Sequence, residues 1–216
     1  MNTRLALPRL VGEFGSQSSR RGILLAGALA GVGSVLGLRA LPGNAQSSSG
    51  DIAILNAAID LEQQAIWAYT TAAGKLSSSD VGKTVLAVAQ KSLKDHQQHR
   101  DVLSATVKKL GGTPAPAKPS YDLSSYISAG EGNLDSDANI AKLALALEYD
   151  AALAYIDAFS QLSNADLIAA AGTIGPAEAA HATAIRAVFH SLDASIAVVP
   201  AAFVSADNRS DWILKV

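Results

Sequence analysis

The chain has 216 residues, enough for one domain with a substantial core and a leader, and 49% of them are apolar while only 5% are aromatic. It contains no cysteine, which excludes disulfides, thiolate metal sites and a cysteine nucleophile. The formal net charge of −2 conceals an uneven distribution of the basic residues along the chain.

Residues 1–45 read as an export signal. Arg4, Arg9, Arg20 and Arg21 precede GILLAGALAGVGSVLGL, a weakly hydrophobic run rich in Gly and Ala, and LPGNAQ offers small residues for cleavage near Ala45. SRRGILL resembles a twin-arginine signal, the route that carries folded and often cofactor-loaded proteins, which places the mature protein in the periplasm or otherwise outside the cytoplasm. An uncleaved anchor and an organellar transit peptide are the other readings. The run is short for a span, which needs about 20 apolar residues, so no stable membrane span is expected once the signal is cleaved. Without the leader, 12 basic residues face 18 acidic ones, a net charge of −6. No basic stripe is left, and nucleic acid is not an expected partner.

Four helical blocks follow, judged by apolar spacing near the helical repeat. The first covers 51–75, with Leu55, Ala58, Ile59, Ala65, Ile66 and Tyr69 on one stripe. SSSD at 77–80 supplies a turn and an N-cap for the second, 80–110, which ends at Gly111–Gly112 and the prolines beyond. Residues 112–136 are polar and irregular, long enough to cross the length of a bundle. The third block covers 137–161 and the fourth 163–192, where Pro176 is expected to kink or break the helix. Two helix pairs separated by one long crossover between the second and third helices describe an all-α four-helix bundle. The domain is expected over 46–203, with 204–216 as a C-terminal tail. Trp67 faces away from the stripe, and with Phe203, Trp212, Ile213 and Leu214 it suggests either a homo-oligomer surface or a tail packed on its own bundle.

Glu62 lies on the buried stripe of the first block, within LEQQAIWAY at 61–69. The third block repeats this stretch as LEYDAALAY at 147–155, so Glu148 matches Glu62 and Tyr155 matches Tyr69. The partner helices correspond as well, HQQH at 96–99 against EAAH at 178–181, and the chain reads as one helix pair used twice. Residues three apart on a helix point the same way, so Glu178 and His181 can reach one metal region together. Buried carboxylates are costly unless paired or bound to a cation. Three of the four histidines, His96, His99 and His181, fall in these motifs, and His190 is read as a surface or packing residue.

These motifs resemble those of exported bacterial proteins of the ferritin-like superfamily, and the likeness spans about 51–203. Sites in that superfamily use a Glu from each of two helices and a Glu-x-x-His from each of the other two. The resemblance implies a metal site of Glu62, His96, His99, Glu148, Glu178 and His181, holding one or two ions of Fe or Mn. His96 departs from the pattern by standing where a metal-bridging carboxylate normally sits. Asp95, about 100° away around an ideal helix, is a poor substitute. Tyr69 and Tyr155 are either hydrogen-bond donors or redox partners near the ligands, or core tyrosines. The implied function is an exported metal-binding protein with oxidoreductase activity on O₂, peroxide or the metal itself. The alternatives are a non-catalytic structural or stress-related bundle with a degenerate site, and iron storage in a cage.

Overall fold

The structure, a computed structural model, describes residues 45–216, with side chains from Ser49 onward. Apart from Ala45, the expected export signal lies outside the described residues. Four long helices form the body: α1 (Ala45–Ala73), α2 (Asp80–Lys109), α4 (Asp137–Gln161) and α5 (Ala165–Leu192). A short α3 (Ser124–Ser128) interrupts the crossover, and a 3₁₀ turn at Ala206–Asn208 leads into the short α6 (Arg209–Trp212). No strand occurs among the described residues. The all-α bundle with its long crossover is therefore the observed architecture.

The ends of the long helices follow from local chemistry. Ser79 caps α2 by accepting from the Gly82 amide at 3.0 Å, Ser136 caps α4 through the Asn139 amide, and Asn164 caps α5 through the Asp166 amide. At the other end of α2, Gly111 takes φ = 84°. That left-handed residue lets the Gly112 amide return to the Val107 carbonyl at 2.9 Å and stops the helix. The crossover then runs back along α1. The Gln63 amide nitrogen donates to the Ala115 carbonyl at 2.9 Å, and the Ala115 amide donates to Asn56 Oδ1 at 2.7 Å.

Helix α1 packs chiefly on α2 and α4 chiefly on α5, with thinner seams joining α1 to α4 and α2 to α5. Two apolar clusters fill the bundle. One gathers Leu55, Ile59, Leu103, Val107, Leu162 and Leu167; the other gathers Val85, Leu145, Tyr149, Ile185, Phe189 and Trp212. Each fully buried aliphatic side chain contributes roughly 1.5–3 kcal/mol. That reservoir is what offsets the cost of burying a polar centre, and Glu62, His96, Glu148 and Glu178 are all buried.

Pro176 does not break α5, which runs unbroken through it. Its ring is exposed, and so is Gly172, whose carbonyl loses its helical donor at the proline. That carbonyl can turn to water instead, which removes most of the reason for a break. The tail packs on its own bundle: Trp212 is buried and stacks on Tyr149 with ring centroids 5.0 Å apart. Arg209 clamps it there, meeting Glu131 at 2.7 and 2.8 Å and Asp150 at 2.6 and 2.8 Å. Phe203 remains exposed, and Trp67 leans on Tyr121 of the crossover with ring centroids 6.0 Å apart.

Candidate metal centre

The apolar spacing that builds each long helix also sets where its polar residue faces. On α1, Glu62 follows Ile59 by one near-turn; on α4, Glu148 follows Leu145 by the same interval, so both carboxylates point where their aliphatic neighbours point. His96 and His99 on α2, and Glu178 and His181 on α5, are each three apart and so share a face. All six residues meet at the middle of the bundle. Glu178 is fully buried, and His99 is the most accessible of the set, its side chain 15% exposed.

His96 is the central member. Its Nδ1 lies 2.7 Å from Glu62 Oε2 and its Nε2 lies 3.2 Å from Glu148 Oε1, so one ring joins the two helix pairs. His181 Nδ1 faces Glu148 Oε2 at 3.2 Å and Glu178 Oε2 at 3.3 Å. The tyrosines cross between the pairs. Tyr69, on the helix of Glu62, donates to Glu148; Tyr155, on the helix of Glu148, donates to Glu62 Oε1 at 2.5 Å. The internal repeat is thus closed by a reciprocal exchange of hydrogen bonds, and both tyrosines act as buried donors to the carboxylates.

The reach of Asp95 was not legible in the sequence. Asp95 does not reach the carboxylates, but its Oδ2 lies 3.0 Å from His181 Nε2, on the side of the ring away from the cluster. It also pairs with Lys91. An angle measured around one helix rules Asp95 out as a replacement for the missing bridge, and says nothing of its reach to the neighbouring α5. The adjacent placement of an acid beside His96 was the only available signal. His190, by contrast, is exposed and bonds the Ile196 carbonyl at 2.7 Å, outside the cluster.

The protonation balance follows from burial and mutual attraction. Burial pushes the Glu62 carboxyl up, but His96 and His99 outweigh it and leave its pKa lowered. Burial acts likewise on Glu148, where the charge of His96 and the bonds from His181 and His96 hold the carboxyl well below its ordinary range. Glu178 stays raised, because burial, reinforced by the Glu148 charge, exceeds the pull of its histidines. Burial would lower the imidazoles, yet the carboxylates raise His99 to about 9 and His181 to about 10. His96 is raised well above 6.5 in the same way, with the Glu148 charge the largest opposing influence. Without a metal, the cluster is therefore held together by imidazolium–carboxylate pairs.

Those pairs leave two atoms unmatched. His99 Nδ1 and Glu178 Oε1 lie 2.9 Å apart, near enough to attract, but neither has a hydrogen bond with acceptable direction, and both atoms are buried. An unmatched nitrogen and oxygen converging in a buried site are what a cation between them would satisfy. The donors also fall into two overlapping sets: Glu62, His96, His99 and Glu178, then His96, Glu148, Glu178 and His181. Within each, one ligand atom per residue lies within 4.8 Å of all the others. Nitrogen and carboxylate donors without sulfur suit hard to borderline divalent ions. The residues fit a metal.

Comparisons with known proteins bear on the fold that carries this site. Among solved structures, the chain resembles the crystal structure of a conserved hypothetical protein, rv2844, from Mycobacterium tuberculosis, with 26% identity and a TM-score of 0.57 over 67% of this chain and 94% of that one. No curated protein matches. The sequence model described as "Ferritin-like domain" matches residues 50–191, which span all four long helices from near the start of α1 and all six clustered residues. The chain belongs to the ferritin-like domain family.

Proposed function

We propose that this protein binds a redox-active metal, Fe or Mn, at the buried Glu–His cluster and acts outside the cytoplasm as an oxidoreductase. The observation that carries the reading is the unmatched pair, His99 Nδ1 and Glu178 Oε1, inside a donor set that otherwise satisfies itself. Glu62, His96, His99 and Glu178 would hold one ion, and Glu148 and His181 would face a second position beside it. Such an ion supplies redox cycling, either toward O₂ or peroxide or through its own oxidation. The chain's own residues fix the ligands: Tyr69 and Tyr155 pin one oxygen of Glu148 and Glu62, and Asp95 orients His181 by taking its outer nitrogen. Arg20–Arg21 and the apolar run after them support export by the twin-arginine route, which would carry the folded, loaded protein.

His96 decides between one ion and two. A carboxylate can bridge two ions with its two oxygens, whereas a neutral imidazole offers a single lone pair and keeps a proton on its other nitrogen. We therefore favour one tightly held ion on the His99 side, with the second position weaker. A specific observation favours a competing reading, a non-catalytic bundle: both nitrogens of His96 already meet carboxylates, so much of the cluster is satisfied without metal.

Elemental analysis of the exported protein separates the two. One Fe or Mn per chain, lost in Glu62→Ala and in Glu178→Ala, with peroxide consumed only by the loaded form, supports the proposal. A folded, metal-free protein that takes up neither ion on incubation would falsify it.

A further inference from the structure

A cavity of about 110 Å³ lies in the seam between α1 and α4 and reaches the cluster from the side of Glu148. Tyr69, His96 and Glu148 form its inner end, while Leu61, Ala68, Val85, Ala89, Leu143 and Ala144 are among its walls. Of these wall residues only Leu61 is exposed, at 37%, and it marks the side nearest solvent. The cavity follows from the packing, because α1 and α4 meet along a thinner seam than either makes with its own partner.

The walls define what fits. The polar groups at the inner end are already committed: the Tyr69 hydroxyl to Glu148, and both His96 nitrogens to carboxylates. Asp150, farther along the wall, is held by Arg209 at 2.6 and 2.8 Å. The charged groups of the lining are thus all paired and none is free to recognise a charged head group, while the remaining polar groups, among them Gln64, Thr71 and the Tyr126 hydroxyl, are neutral. Unfilled apolar space forfeits dispersion contacts, and an engineered apolar cavity of about 150 Å³ stays dry and takes up benzene. We propose that this cavity binds a small uncharged apolar molecule, of benzene or short-alkyl size, against Tyr69, His96 and Glu148. As the substrate class of the metal centre this rests on the reading above, whereas the binding itself does not.

Hexafluorobenzene is a suitable probe, followed by fluorine NMR and by the emission of Trp67, which lines the wall. Trp67→Phe identifies that signal against Trp212, which is buried under Tyr149. The full-length protein is expected to bind the probe saturably. Ala144→Leu on α4 and Ala68→Leu on α1 fill the cavity from different helices, and each is expected to weaken binding at least about tenfold with metal content unchanged. Circular dichroism checks that each variant folds, and the second serves if the first does not. Absence of saturable binding, or binding untouched by both substitutions, overturns the pocket and leaves the metal reading intact. Normal probe binding by a chain that takes up no metal upholds the pocket and sinks the metal reading instead.

Discussion

The Tyr155 hydroxyl donates to Glu62 Oε1 at 2.5 Å across 93 positions of sequence, and both groups are buried. Tyr155 belongs to the second helix pair and Glu62 to the first, so the bond spans the seam between them. Tyr155→Phe removes the donor without changing the ring's packing and leaves a buried carboxylate oxygen short of one partner. A destabilisation of about 1–3 kcal/mol is expected, read from urea unfolding of the metal-free protein. Metal affinity should fall about 10–100-fold, the usual cost of losing a partner that orients a ligand. An unfolding midpoint and an affinity both equal to those of the parent would reduce Tyr155 to a packing residue.

Stability of the metal-free protein should depend on pH in a defined direction. His99 and His181 titrate near 9 and 10 when folded, against 6.5 for the free side chain. A group whose pKa rises on folding adds stability that is complete below its unfolded value and is lost as pH climbs through the folded one. Glu178, raised by burial, acts in the same direction, its contribution falling as pH rises above 4.5. Glu62 and Glu148 act oppositely: lowered from 4.5, they contribute above that value and lose it as pH falls through their depressed pKa values. The metal-free protein should therefore be most stable between about pH 4.5 and 6.5 and weaken toward pH 9–10. Metal uptake near neutral pH should release protons from the imidazoles, visible with a pH indicator in weak buffer.

Asp95 offers a sharper test of positioning. Burial is the largest single influence and raises its carboxyl, but Lys91 and His181 together prevail and hold it lowered, consistent with an ionised partner for His181 Nε2. Asp95→Asn preserves shape and removes that charge. The His181 imidazole should then titrate below about 10, by NMR of the metal-free protein, and metal affinity should drop about 10–100-fold. An unshifted His181 would show that Asp95 serves Lys91 alone.

How much of this was legible in the sequence depends on whether a feature is local. The four long helices are, because periodicity, the Ser79 cap and the Gly111 stop are written within a few residues of where they act. The six clustered residues were legible through the repeat, since two copies of one helix pair place matching positions around a shared axis. Contacts that depend on how one helix is rotated against another were not. The crossing of Tyr69 to Glu148, the reach of Asp95 to α5 and the cavity between α1 and α4 are all of this kind. Pro176, expected to kink or break α5, does not break it: the rule concerns the backbone carbonyl it deprives, and an exposed site makes that loss tolerable.

Gly175 connects that stretch of α5 to the cluster. A Cβ added there would lie 3.0 Å from Tyr155 Cβ and 3.4 Å from the tip of the Phe159 ring. The nearer atom sits at the root of the Tyr155 side chain, close to the backbone, so it cannot swing aside as a flexible tip would. Gly175→Ala would gain helix propensity of roughly 1 kcal/mol, but overpacking of a filled seam costs typically 1–3 kcal/mol. The net change should be destabilising, measured by thermal unfolding. Pushing Tyr155 also pulls its hydroxyl from Glu62, so metal affinity should fall in the same direction as in Tyr155→Phe. Combining the two substitutions should add little further loss of affinity, because both act through one hydrogen bond. Full additivity would instead mean that Gly175 affects the centre by another path, through the placement of Glu178 three residues along the same helix.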